Sequence, residues 1–465
     1  MMTTGKPQFV PGGISRRTTL GLMSAGAVAA LTGCSAGKEA AQGDGPWLAT
    51  PEQIEAERML LEIEADPAVA AIKDKLRVTL SAEARAQMPD AAKTLDESLD
   101  QWTRSLIFAE LVHRPTQPVF LWATDDTPRE WLGHKLGGVG TSGDNPDAIY
   151  RMAGIEGGGR YEILGEYHPD GRPAQFLLEV DAGDMAQPQN IMPVTDGKHA
   201  DIHNTSIMSD RELVVNDDGT FRITLGGEAD GPNHMDIPPS GYCMAGVRDI
   251  LGSWTDKAPK LTLRRLDEVE PEPWTLETVR ERVLADMEGY IGFWSHFPDI
   301  WFGGLGPNER SEPQGRPGGW GFVCGMNFHL APDEVFLINT VQGDARYTGF
   351  QINNPWMIAP DARKKQVCLN SSQVTANPDG SFTYVIARED PGVANWLDTD
   401  GMLDGIGILR WQAVPPEMTN EGLIRDFRVI KRSELDAMAD IPRVTPEERK
   451  AQVEARWAAY SSRTL

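Results

Sequence analysis

Two stretches of this chain, 161 residues apart, carry the same turn in the same setting. Leu213-Val214-Val215-Asn216-Asp217-Asp218-Gly219-Thr220-Phe221 is matched by Val374-Thr375-Ala376-Asn377-Pro378-Asp379-Gly380-Ser381-Phe382. The series continues in order, Asn233 with Asn395 and Arg248 with Arg410, at an offset of 162. Upstream, Arg160-Tyr161 is set against Arg346-Tyr347 at an offset of 186, which implies an insertion in the first copy. A shared Asp-Gly turn is ordinary hairpin chemistry. An ordered series of such features is the mark of an internal duplication.

Each copy reads as a strand ending at Asp-Gly, a second strand, a Pro/Gly-rich loop bearing Asn, and a last strand bearing Arg. Alternating runs such as Arg160–Gly165, Phe176–Val180 and Thr220–Leu225 have the period of half-buried strands, with turns at His168–Gly171 and Asn216–Gly219. Helical spacing flanks them. Thr50-Pro51-Glu52-Gln53 is an N-cap, a proline in the first turn and a capping-box partner, followed by Ile54, Met59, Leu60 and Ile63, then Leu95, Leu99, Trp102, Leu106 and Ile107. Breaks fall at Asp66-Pro67 and Met88-Pro89-Asp90. Trp274 to His296 returns to helical spacing, Gly303–Gly321 holds ten Gly or Pro among nineteen residues, and Thr445-Pro446-Glu447-Glu448 opens a closing helix.

These readings predict an α+β, mainly β, protein: two tandem jelly-roll-like antiparallel β-sandwiches with an N-terminal helical unit and inter-domain helices. The expected divisions are an export signal (1–34), a tether (35–49), a helical unit (50–147), a first sandwich (148–270), a helix and Gly/Pro-rich loop (271–324), a second sandwich (325–415) and a helical tail (416–465). The net charge of −24 sets the sign of the partners. So acidic a body is repelled by phosphate backbones and anionic headgroups, which excludes nucleic acid as an expected partner.

The N-terminus reads as an address. Ser15-Arg16-Arg17-Thr18-Thr19-Leu20 precedes an uncharged run from Gly21 to Thr32 and then Gly33-Cys34. Basic region, short apolar region and small residues describe an export signal, and a run this short falls well under the roughly 20 apolar residues of a membrane-spanning helix. The arginine pair resembles the twin-arginine consensus. Leu31-Thr32-Gly33-Cys34 resembles a lipobox, which implies cleavage before Cys34, diacylation of its thiol, and contact with a membrane through that anchor only, in the periplasm. Cys243, Cys324 and Cys368 then remain; an odd count in an exported chain points to buried thiols rather than a disulfide framework.

Asn377-Pro378-Asp379-Gly380-Ser381-Phe382, Asp390-Pro391-Gly392, Asn395-Trp396-Leu397 and Gly407-Ile408-Leu409-Arg410-Trp411 resemble the closing motif of the bacterial domain-of-unknown-function family numbered 1214. The resemblance covers 325–415, with 205–250 as a degraded copy in which Asn233-His234-Met235 stands for Asn-Trp-Leu. It implies a β-sandwich fold and settles no activity.

Candidate chemistry falls in three places. His199, Asp201 and His203 recur at period two, which on a strand would aim two imidazoles and a carboxylate to one side, as a divalent metal site requires. His234 and Asp236 are candidates for acid–base work. The aromatic run Phe293–Phe302, with Trp294 and Trp301, is expected to line a ligand cleft between the sandwiches, together with Tyr347, Asn395, Trp396 and Arg410; flat rings suit sugar faces or apolar rings. Arg410 is expected to clamp the Asn395 loop through its carbonyls or Asp398. Nucleophile-elbow, zinc-protease and dinucleotide motifs are absent. Two functions fit: an envelope lipoprotein binding a small apolar or glycan-like ligand, or a metal-assisted or acid–base enzyme acting on such a molecule.

Overall fold

Residues 47–191 and 204–464 are described by the computed structural model. Helix α1 (Pro51–Glu64) begins at Thr50, whose hydroxyl accepts the Gln53 N–H at 3.1 Å. The expected reciprocal bond from Gln53 is not made. Its buried amide instead accepts the Trp122 N–H at 2.8 Å and donates to the Trp122 carbonyl at 3.3 Å, tying the helix to a strand. Asp66 caps α2 (Pro67–Ser81), and α3 (Pro89–Leu111) starts after Met88, at the two predicted breaks.

The helical unit stops at Leu111, short of the expected 147. Strand β1 (Leu121–Thr124) and a hairpin of β2 (Arg129–Trp131) and β3 (His134–Leu136) follow. All four β1 residues are buried, so this strand shows no alternation by which a sequence reading could separate it from helix.

The first sandwich is built from β4 (Ala148–Glu156), β5 (Tyr161–Glu166), β6 (Gln175–Ala182), the short helix α4 (Pro188–Ile191), β7 (Asn204–Ser209), β8 (Thr220–Leu225), β9 (His234–Met235), β10 (Tyr242–Ile250) and β11 (Lys260–Arg265). The long helix α5 (Leu276–Phe302) then leads to β12 (Gln314–Gly315), β13 (Gly321–His329), β14 (Glu334–Thr340), β15 (Tyr347–Asn353), β16 (Cys368–Asn370), β17 (Phe382–Ala387), β18 (Trp396–Asp398), β19 (Asp404–Gln412) and β20 (Ile424–Lys431). Helices α6 (Arg432–Asp436) and α7 (Pro446–Ser461) close the chain, the latter with the predicted Thr445–Glu448 capping box.

The duplication is visible strand by strand. One sandwich pairs a sheet in the order β1-β4-β10-β6-β7 with β11-β5-β8-β9; the other pairs β12-β13-β19-β15-β16 with β18-β17-β14-β20. Strands β4 to β11 therefore correspond one by one to β13 to β20. Both copies make the same exception to antiparallel pairing, in β8–β9 and β17–β18. The turns match as well: Asp218 Oδ1 accepts from Thr220 N–H and Asp379 Oδ1 from Ser381 N–H, each at 3.0 Å.

Two sequence expectations change. Tyr161 opens β5 whereas Tyr347 opens β15, the counterpart of β6, so the Arg-Tyr pairs are not equivalent; the first copy still carries an insertion, since the offset between matching strands falls from 172 at Leu177/Gly349 to 162 at Arg248/Arg410. The second sandwich also exceeds 325–415 at both ends, since β13 begins at Gly321 and β20 lies inside the tail expected to be helical.

In β10, Ala245 and Val247 enter the sandwich core, so Gly246 and Arg248 point out of it. In β19, Leu409 and Trp411 enter the second core, while Ile406 and Ile408 join the layer of α3 and α5 with Trp102, Phe293 and Trp294. The outer faces of the two five-stranded sheets thus turn toward each other. Helices fill one part of the gap, and Tyr347 bridges another by packing on Ala148 and Ile250.

Candidate binding cleft

Three arginines converge between the sandwiches. Arg248 and Arg410 stand at matching places on the centre strands β10 and β19, and Arg316 comes from the Gly/Pro-rich loop before β13. The Arg316 guanidinium lies 5.0 Å from the centre of the Trp320 ring and 5.8 Å from Trp301. Arg248 approaches the same Trp320 ring at 5.9 Å and Tyr150 at 5.8 Å. Such distances suit cation–π attraction. Although it sits on a centre strand facing another sandwich, the Arg248 side chain keeps 30% of its surface. Solvent thus reaches Arg248 between the sheets, although Trp320 beside it is only 3% exposed.

The two copies differ in how they hold their arginine. Arg248 lies opposite Leu177 and Arg410 opposite Gly349, so Glu179 and Gln351 occupy the same diagonal position two residues further along. Glu179 gives Arg248 a carboxylate at 2.8 Å. Gln351 gives Arg410 only a neutral amide oxygen, and the Gly143 carbonyl supplies a second acceptor. The Gln351 amide is oriented by donating to the Asp144 carbonyl and to Asn353 Oδ1, both at 2.8 Å. Gly143 has φ +70°, which a side chain would strain, and its N–H donates to the Met357 carbonyl at 2.7 Å.

Charges in the cleft shift one another. Burial, then the neighbouring Arg248 and Arg410, bring Arg316 down to about 10. Burial works against the Arg248 charge, but Glu179, Tyr150, Asp181 and Asp144 together more than offset it. Burial and then Glu179 push Asp181 up to about 7, and burial raises Asp144, whose carboxylate accepts from the Thr141 N–H at 2.7 Å. Arg316 Nε and the Trp320 indole N–H are buried with no hydrogen-bond partner among the described residues.

The residues singled out from sequence scatter. Trp301 reaches the cleft beneath Arg316, and Trp294 backs it from the helical core, its carbonyl accepting from Ser142 Oγ at 3.3 Å. Tyr347 is fully buried and donates its hydroxyl to Asp147 at 2.7 Å, a contact between the sandwiches rather than an exposed ring. Arg410 is a clamp, but on Gly143 and Gln351 and not on the Asn395 loop, because β15 and the 141–145 loop, not β18, flank its face of β19. Asn395 is buried with its amide spent on the backbone of Thr375 and Thr383. Trp396 donates to the Ala387 carbonyl at 2.8 Å and carries Arg449 on its ring at 5.2 Å. Neither lines the cleft.

His234 lies on β9, in the four-stranded sheet away from the cleft. It stands 3.7 Å from an Asp236 carboxylate that is 94% exposed, so the pair forms no oriented dyad. His199, Asp201, His203 and Cys34 lie outside the described residues. Among the described residues no group of three or more His, Cys, Asp or Glu side chains is arranged to hold a metal ion, and no helix is long and apolar enough to cross a membrane. Cys243, Cys324 and Cys368 are buried free thiols.

Sequence reasoning missed Tyr150, Glu179, Arg316, Trp320 and Gln351. The one available signal was Arg316 and Trp320 within the Gly/Pro-rich loop beside the aromatic run.

No known family model and no curated protein matches the chain. Among solved structures, an uncharacterized protein from Burkholderia cenocepacia superposes with a TM-score of 0.58 at 21% identity, over 83% of this chain and 99% of that one. The VPA0106 protein from Vibrio parahaemolyticus aligns at 9% identity with a TM-score of 0.39, over 73% of this chain and 99% of that one. The Burkholderia likeness is one of fold.

Proposed function

We propose that this chain is an exported, lipid-anchored protein of the cell envelope, akin to the 1214 family, that binds a small molecule in the cleft between its two sandwiches. One observation carries the reading. Arg248 and Arg316 meet on the Trp320 ring, Arg410 stands at the matching place on the facing sheet, and Arg316 Nε is buried with no hydrogen-bond partner among the described residues. Ligand sites combine apolar walls with a few convergent polar groups, and the cleft has that composition. A flat apolar or sugar-like body would lie on the exposed Trp301 ring, with Trp320 and its arginines behind it, while the arginine forks reach its polar atoms.

Titration of the mature protein with the uncharged fluorescent probe N-phenyl-1-naphthylamine tests this reading. Saturable binding weakened by Trp320→Ala is expected. Binding indifferent to that substitution would place the ligand elsewhere.

A second reading, an acid–base enzyme, draws on Glu179 and Asp181, two carboxyl groups at alternate positions of β6. Like-charged neighbours in a buried place set one proton near neutrality, as acid–base chemistry needs. Turnover of a ligand that is abolished by Asp181→Asn, with affinity kept, would establish it.

A further inference from the structure

Resting on that cleft reading, we infer that the occupant carries an oxyanion group and that the unequal neighbours of Arg248 and Arg410 fix which way round it lies. Duplication placed an arginine at the same strand position twice. The first copy neutralises its arginine with Glu179 at 2.8 Å. The second has Gln351 at the corresponding diagonal, so Arg410 is held by two neutral oxygens. Arg316 stands nearby with cation–π contacts and no carboxylate within ion-pair distance among the described residues. Of the three guanidinium groups, only Arg248 has such a partner among the described residues.

The acids of the cleft are unevenly placed too. Glu179 and Asp181 belong to the first sandwich. Asp144 spends its carboxylate on the Thr141 N–H and hydroxyl, at 2.7 and 2.9 Å. Arg316, beside Arg248 on the Trp320 ring, and Arg410, on the second sandwich, therefore offer planar forks of donors with no carboxylate in ion-pair contact among the described residues, inside a protein whose net charge is −24. Such forks, that of Arg316 lying over indole rings, fit a carboxylate or phosphate on a flat apolar body. Hydroxyl or amine groups of the same ligand would meet Glu179 beside Arg248, away from Arg410.

The sequence supplies its own control, since the first copy folds with Glu where the second has Gln. Gln351→Glu should neutralise Arg410 in the manner of Arg248, at the cost of the two hydrogen bonds that the Gln351 amide donates to Asp144 and Asn353, so thermal melting of the variant accompanies the titrations and Arg316→Gln serves as the second variant. The probes are N-phenyl-1-naphthylamine and 1-anilinonaphthalene-8-sulfonate, which share a ring system and differ by the sulfonate. The sulfonate is expected to bind the wild type more tightly than the neutral probe. Gln351→Glu and, separately, Arg316→Gln should each weaken the sulfonate, relative to the neutral probe, about tenfold or more, the worth of a charge-assisted hydrogen bond. Displacement of the sulfonate by benzoate or by inorganic phosphate supports the site and tells which oxyanion it prefers; displacement by neither overturns it. Equal affinity for the two probes, or a sulfonate affinity unmoved by both substitutions, overturns the oxyanion assignment and leaves the cleft standing. No binding of either probe overturns both.

Discussion

Asn233 and Asn395 make the same three hydrogen bonds in the two sandwiches. Asn233 accepts the Val214 N–H at 2.8 Å and donates to the carbonyls of Val214 and Arg222 at 2.8 and 3.0 Å. Asn395 accepts the Thr375 N–H at 2.7 Å and donates to the carbonyls of Thr375 and Thr383 at 2.8 and 3.2 Å. Each stitches the segment before an Asp-Gly turn to the strand after it. That role explains why the Asn recurs in both copies, whereas the residue beside it changes from His234 to Trp396.

Replacing either asparagine by alanine strands three backbone groups. At about 1 kcal/mol or more for each one left buried and unmet, Asn395→Ala and Asn233→Ala should each cost about 2–4 kcal/mol. Chemical denaturation measures this. Asn395→Asp should fail to rescue, because a carboxylate accepts from Thr375 but cannot donate to either carbonyl. A wild-type midpoint in either alanine variant would refute the assignment.

The two arginines should respond differently to truncation. Arg248→Ala leaves Glu179, 5% exposed, without its ion-pair partner. Breaking a fully buried pair costs about 3–5 kcal/mol, and the 30% exposure of Arg248 brings the expectation down to about 2. Arg410→Ala removes a donor from two neutral oxygens and should cost about 1 kcal/mol. The diagnostic is the double variant Arg248→Ala/Glu179→Gln, which should regain most of the loss in thermal melting. A double variant no more stable than Arg248→Ala would show that the pair is not what stabilises this position.

Glu110, in the last turn of α3, provides a pH signature. It is 1% exposed, and burial, then Asp184 and Asp286, raise its carboxyl from 4.5 to about 9. The folded chain keeps this proton through neutrality while the unfolded chain releases it. The associated stabilisation is therefore complete below about pH 4.5 and is lost as pH rises toward about 9, by up to about 1.4 kcal/mol per pH unit. Glu110→Gln keeps the neutral shape and removes the titration. Denaturation at about pH 5 and about pH 8.5 should show a flatter dependence for the variant and a higher stability at the upper value. Parallel curves would sink the prediction.

The export reading has its own test. Cys34→Ala should abolish labelling by a lipid precursor and free the protein from membranes, and Arg16→Lys with Arg17→Lys should block export. Membrane association unchanged in the first variant rejects the lipobox; normal export of the second rejects the twin-arginine signal.

The sequence by itself determined the duplication, the helix starts and the face on which Arg410 lies. All three rest on local rules: turn chemistry at Asp218 and Asp379, caps at Thr50 and Thr445 with the break at Asp66-Pro67, and alternation along β19. Only the tertiary structure decided what Arg410 touches. Gly143 lies 267 residues away and Gln351 59, on a loop of the first half and on a neighbouring strand. The pairing register that makes Glu179 and Gln351 equivalent is likewise set by strand neighbours out of sequence order, β10 beside β6 and β19 beside β15. A pattern of period two says which side of a sheet a residue faces. It carries no information about which strand lies next to it, and the chemistry of this cleft is built from those neighbours.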